Sequence, residues 1–191
     1  SSDLAFTLSG AQAAANLESL AALKGAEREK VLLEGARAEG FLMLYSSMQV
    51  ASINTLQKAF EEKYAIKLRF WRGGSEDILR RSVLEKKAGR EDVDVFESDG
   101  PVLETMHRED LLGMGASPFH ADLIPQALRP HREWVATRVN IFAAVYNTKL
   151  IAREDLPKSY EGFIDPKWKG KLGIEADDYD WFGSISHIMG E

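Results

Sequence analysis

Apolar residues fall at three- and four-residue spacing over residues 11–23 and 26–39, which predicts two helices divided at Lys24-Gly25. Gly40 supplies a helix stop, and the run "FLMLYS" (41–46) then reads as a strand. The helical period returns over 49–64, followed by the strand-like "IKLRFW" (66–71) and a further helix over 76–89. "VDVFES" (93–98) predicts a third strand and "PVLETMHREDLL" (101–112) the helix after it. Strands and helices that alternate at these lengths build βαβ units, hence an α/β fold with a mainly parallel sheet flanked by helices.

The rhythm breaks after Leu112. Residues 113–134 hold three of the six prolines and read as an irregular excursion. A longer apolar strand is expected over Val135–Asn147, then a turn-rich piece over 153–171, a short strand "LGIEA" (172–176) and the start of a helix, "WFGSISHIMGE". That helix lacks a glycine stop and the last strand has no visible partner, so the pattern ends unfinished.

Composition narrows the function classes. Of 191 residues, 45% are apolar and 28% charged, which is globular usage. A formal net charge of −6 argues against nucleic acid or an anionic membrane as partner. The apolar run "IFAAVY" (141–146) is too short to span a bilayer, and the first ten residues lack the basic start and apolar block of a signal peptide, as a chain whose signal is removed or not included also would. With no cysteine, thiol catalysis, disulfides and thiolate zinc sites drop out.

In an open parallel sheet, ligands sit beyond the carboxyl ends of the strands, where helix N-termini point their amides. Those ends deliver Ser46, Ser47 and Gln49 after the first strand, and Arg72, Gly73, Gly74 and Ser75 after the second. Glu97, Ser98 and Asp99 follow the third. Two glycines let backbone amides converge on an anion, and Arg72 adds a bidentate hold. The same turn is also a good helix start, with Ser75 as N-cap and Glu76 and Asp77 facing the positive end of the helix dipole. The helix start comes first.

Catalytic motifs are missing. There is no phosphate loop, no dinucleotide fingerprint, no H-E-x-x-H pair and no G-x-S-x-G elbow. His107, His120, His131 and His187 are scattered along the chain, and His107 reads as solvated surface. "EADDYDWF" crowds Asp177, Asp178 and Asp180 around Tyr179 at a helix start. Asp180 as helix cap is the plain reading, and a cation or metal site is the alternative.

The segments "FLMLYSSMQ", "AFEEKYAIKLRFWRGGSEDIL", "GREDVDVFESDGPVLETMHREDLL", "FAAVYNTKLI" and "LPKSYEGFIDPKWKGKLGIEA" together resemble the periplasmic solute-binding proteins of bacterial ABC importers, in particular the ferric-iron-binding branch. The resemblance implies two α/β lobes joined by crossover strands, with a ligand closed between them by a hinge motion. Residues 1–40 would form an N-terminal helical segment and 41–141 lobe one. Residues 142–191 would carry the crossover and part of an incomplete lobe two, the chain being a truncated member. Family iron binders place a histidine where this chain has Gln49 and an acid where it has Asp99, and their paired tyrosines would lie past Glu191.

By the same resemblance the ligand contacts are Ser46, Ser47, Gln49, Arg72, Gly74, Ser75, Ser98, Asp99, Tyr146, Asp178 and Tyr179. Asp99 and Tyr179 are metal ligands if the cargo is Fe³⁺, which takes oxygen donors. A small organic anion or zwitterion such as a phosphonate suits Arg72, Ser46 and Ser47 against Asp178 and Asp180 equally well. The implied protein is an extracytoplasmic, periplasmic binding component that hands its ligand to a membrane permease, with no catalytic residue and no cofactor beyond the transported ion. Two alternatives stay open: an effector-binding or enzymatic domain on the same fold, and a non-binding fragment that dimerises through its unfinished lobe.

Overall fold

The computed structural model describes residues 19–20, 23–90, 92–174 and 179–190. The chain divides into two compact units, 1–137 and 138–191.

In unit 1, helix α1 (Gly25–Glu39) ends where Gly40 enters the left-handed region at φ 85° and its N–H bonds Ala36 O at 3.0 Å. Strand β1 (Phe41–Ser46) follows, then α2 (Val50–Tyr64), β2 (Lys67–Arg72), α3 (Ser75–Lys87), β3 (Val95–Glu97) and α4 (Gly100–Arg108). The three strands are parallel in the order β2-β1-β3, with Phe41 opposite Lys67 and Leu44 opposite Val95. This is the expected α/β arrangement.

Side chains alternate across the sheet. Tyr45, with its register partners Trp71 and Phe96, packs on Ile78 of α3 and on Val102, Leu103 and Met106 of α4. Tyr45, Ile78 and Met106 are fully buried. Leu44 and Leu68 point to the other face, where α2 lies against β2, sealed by the fully buried Ile53. Gln57 Nε2 donates to Leu68 O at 2.6 Å, fixing that helix on the strand.

Expectations and structure part at several places. Strand β3 keeps three residues of the six expected, because Asp94 turns its carboxylate onto Met43 N–H (2.7 Å) in place of a backbone ladder bond. Helix α4 stops at Arg108, four residues early, where Asp110 adopts φ 53° and Leu111 N–H folds back to Met106 O at 2.9 Å. The excursion contains 3₁₀ turns at Pro118–Asp122 and Pro125–Ala127 and a single antiparallel bridge, Leu128 to Val135.

The long strand expected over Val135–Asn147 is not formed. A strand needs a neighbour to satisfy its backbone groups, and past that bridge the described residues offer none. Val139, Ile141 and Val145 are instead 78, 87 and 91% exposed. Residues 172–174 are likewise not strand, and the rest of "LGIEA" lies outside the described residues. Of the helix expected over 11–23, Ser19 and Leu20 are helical, Leu23 is not, and the other ten lie outside the described residues.

Unit 2 consists of 3₁₀ turns at Arg153–Asp155, Tyr160–Ile164 and Pro166–Trp168, followed by helix α5 (Tyr179–Met189). Trp168 is its buried anchor, with Phe163 packed at 5.9 Å. Asp180 is helical, in the first described turn of α5, and Asp177 and Asp178 before it lie outside the described residues.

A polar edge at the ends of three strands

Each strand of unit 1 turns directly into a helix, so the N-termini of α2, α3 and α4 gather beyond the carboxyl edge of the sheet. Gln49, Gly74 and Asp99 occupy the N-cap positions with extended backbone, and none caps its own helix through its side chain. Ser75 is the first helical residue, so it is not the N-cap that its sequence context suggested.

The edge is tied together from below. Ser46 is fully buried, and its hydroxyl donates to Glu97 Oε2 at 2.6 Å. Met48 N–H reaches the same carboxylate at 3.2 Å and Ser46 Oγ at 3.1 Å. Ser47 N–H donates to Glu97 O at 3.1 Å, and Gly73 N–H to Ser46 O at 3.2 Å. Glu97 therefore fixes the loop after β1. A terminal strand residue offered no cue in the sequence to set it apart from its neighbours Ser98 and Asp99.

Above this frame, Ser75 Oγ donates to Asp99 Oδ2 at 2.5 Å, joining the starts of α3 and α4. Arg72 is exposed, its Nε donating to Met48 O at 3.4 Å, and among the described residues no carboxylate pairs with it. Ser98 Oγ is buried and has no partner among the described residues. Unit 1 thus brings Ser46, Ser47, Gln49, Arg72, Gly74, Ser75, Ser98 and Asp99 to one edge. Tyr146 and Tyr179 belong to unit 2, Tyr179 being 67% exposed, and Asp178, with Asp177, lies outside the described residues.

The paired glycines do separate work. A Cβ at Gly73 would sit 2.4 Å from the Trp71 indole, whereas one at Gly74 would meet nothing closer than Asp77 Oδ2 at 3.4 Å. Gly73 makes room for the indole, which is a packing role.

One further grouping was not legible from spacing. His107 and His131, read as scattered, stack face to face at 3.9 Å and 11°. His107 is not free surface: its Nδ1 lies 2.7 Å from Glu133 Oε2, and its side chain is 31% exposed. The helical place of His107 predicted exposure, and only the fold of the excursion lays His131 over it.

Comparison with known proteins agrees with this architecture. Residues 112–190 match the family model of the bacterial extracellular solute-binding proteins. The Fe(3+)-binding periplasmic protein of Serratia marcescens is 22% identical over 82% of this chain and 46% of its own length. Iron-bound HitA from Pseudomonas aeruginosa superposes with a TM-score of 0.57 at 24% identity, covering 67% of this chain and 42% of HitA. IdiA (FutA) of Trichodesmium, solved with iron and citrate, gives 0.56 at 23% identity over 79% of this chain and 49% of its own. The chain spans less than half the length of each of these proteins. In sequence and in fold it is thus similar to the ferric-binding branch of the bacterial extracellular solute-binding proteins.

Proposed function

We propose that this chain carries ligand-binding groups of an extracytoplasmic, periplasmic solute-binding component of an ABC-type importer, and that the captured solute is ferric iron held with a small organic anion. The observation that carries the reading is the convergence of three helix N-termini, Asp99 and Arg72, which pairs with no carboxylate among the described residues, at one sheet edge. Fe³⁺ takes oxygen donors, and Asp99 keeps a carboxylate oxygen not used by Ser75. Arg72 and the helix amides suit the anion. The Serratia protein is described as binding Fe(3+), and the Trichodesmium structure holds iron with citrate, which supports the pairing. Gln49, standing where family iron binders have histidine, fits a site that takes its remaining donors from the anion.

A phosphonate-like zwitterion is the second reading, favoured by Arg72 alone. On either reading the protein does no chemistry, and delivery to a membrane permease is part of the proposal. So are residues 41–141 as lobe one and 142–191 as the crossover and part of lobe two. Self-association through the incomplete lobe also belongs to it, where Val145 is largely exposed, and concentration-independent sedimentation would exclude that part.

The test is an amide NMR titration of the 191-residue chain with gallium(III) citrate, a diamagnetic stand-in for ferric citrate, beside one with methylphosphonate. Shifts confined to Ser47, Met48, Gly74, Ser75 and Gly100 are expected with gallium citrate, and Asp99→Asn abolishes them. Shifts only with methylphosphonate, lost in Arg72→Gln, would select the second reading. Unmoved edge amides with both ligands would sink the proposal. Tyr146→Phe and Tyr179→Phe, titrated in the same way, report whether unit 2 supplies donors.

A further inference from the structure

The C-terminal end of α4 presents a second polar cluster, unrelated to the strand-end edge. Asp99 is the N-cap of α4 and His107 stands eight residues further on, a rise of about 12 Å. Glu104 and His107, spaced i, i+3, share one face of the helix. His131 and Glu133 of the excursion lie over them: His131 Nε2 is 3.4 Å from Glu104 Oε2, and His107 Nδ1 is 2.7 Å from Glu133 Oε2. The side chains of Glu104, His107, His131 and Glu133 are 25, 31, 16 and 22% exposed. One ligand atom from each of Glu104, His107 and His131 lies within 4.8 Å of the others.

We infer that Glu104, His107 and His131 form a binding site for a divalent first-row transition ion of the Zn²⁺ type. Two imidazoles and a carboxylate are borderline donors that suit such ions, whereas Ca²⁺ and Mg²⁺ take oxygen shells. Bonds of about 2.1 Å in a tetrahedron place ligand atoms about 3.4 Å apart, so side-chain rotation closes the gap. His107 is set for the role: with Nδ1–H donated to Glu133, its Nε2 lone pair is available, a carboxylate–histidine–metal relay. His131 must rearrange. Its Nδ1 accepts Glu133 N–H at 3.1 Å, so the ring proton sits on Nε2. Coordination moves that proton to Nδ1, replaces the contacts of His131 with Glu133 N–H and Glu104, and tilts the ring out of its stack on His107 so that both in-plane lone pairs meet the ion. Arg129 competes for the site, its Nε lying 3.6 Å from Glu104 Oε2. Two carboxylates against one guanidinium leave the cluster net negative, as a cation site requires. A bound ion would staple α4 to the segment 129–134.

The test is calorimetric titration of the metal-free 191-residue chain with ZnCl₂, together with Co²⁺ absorption as a report of histidine coordination. One Zn²⁺ per chain is expected, with a four-coordinate cobalt band. His107→Asn, His131→Asn and Glu104→Gln should each weaken binding tenfold or more, and Glu133→Gln should weaken it by about tenfold, as loss of an outer partner does. Arg129→Gln should tighten binding several-fold, a gain that misfolding cannot imitate. His187→Asn should change nothing. No zinc uptake by the wild type, or uptake that survives His107→Asn and His131→Asn, overturns the site.

Discussion

At the residue scale, the two glycines after β2 answer differently to the same change. Gly73→Ala must displace the Trp71 indole, whose ring also carries the Arg81 guanidinium at 4.5 Å. We expect a loss of about 1–3 kcal/mol in urea denaturation, the usual range for overpacking. Gly74→Ala has ordinary φ and ordinary contacts, so it should stay within about 0.5 kcal/mol. Equal effects would refute the packing account of Gly73. Nearby, the buried Glu85 accepts the Tyr45 hydroxyl through both oxygens at 2.9 and 3.0 Å and Arg81 Nε at 2.7 Å. Glu85→Ala strands both donors and should cost about 3 kcal/mol, against about 1 kcal/mol for Glu85→Gln. Burial, and then the hydrogen bond and charge of Glu85, raise the Tyr45 phenol above its ordinary value. A raised phenol gives stability that is whole below the ordinary tyrosine range and is lost as pH climbs through the folded value. Tyr45→Phe should therefore flatten the alkaline side of a Tm–pH profile, and an unchanged slope would show that Tyr45 does not set it.

At the element scale, the strand–helix alternation of unit 1 was legible because each element buries one face and each turn has its own residues. β1, β2, α2 and α3 fall within a residue or two of their periodic runs. The ends were less legible, because they depend on contacts made across the fold. Asp94 shortens β3 by bonding to β1, and Lys86 of α3 reaches Glu109 O and Asp110 O, both at 2.7 Å, to close the end of α4. The candidate edge was readable from topology, since strand ends in parallel sheets face helix starts, but the bracing by Glu97 and the stacking of His107 on His131 needed three dimensions. One helix end offers a clean test. α2 stops with Ala65 in the left-handed region at φ 56°, a conformation that burdens any residue with a Cβ. Ala65→Gly should raise stability by about 0.5–1 kcal/mol even though glycine frees the unfolded chain. A drop in Tm would mean that the alanine methyl contributes more by contact than its backbone costs.

At the scale of the whole chain, what matters is how the two compact units differ in the way they are held. Unit 1 has a parallel sheet covered on both faces, so opening it exposes Tyr45, Ile53, Ile78 and Met106 together. The segment that begins unit 2 has no such tie. From Arg138 to Tyr146 the backbone is irregular, without ladder bonds, and Val139, Ile141 and Val145 stand largely in solvent. The apolar run read as a strand in sequence because hydrophobicity marks what a strand wants to bury, while pairing depends on a neighbour that no local pattern supplies. Cleavage rates follow local opening, which costs least where few contacts must break. Brief chymotrypsin treatment should therefore cut first at Phe142 or Tyr146, releasing an N-terminal product that contains residues 41–137 intact. That product should keep its helical circular dichroism and the Trp71 emission of the parent chain, since its core draws every buried residue from unit 1. Mass spectrometry of the first products decides the matter: initial cuts inside 41–108 would mean that the sheet, and not the segment after it, is the weaker part.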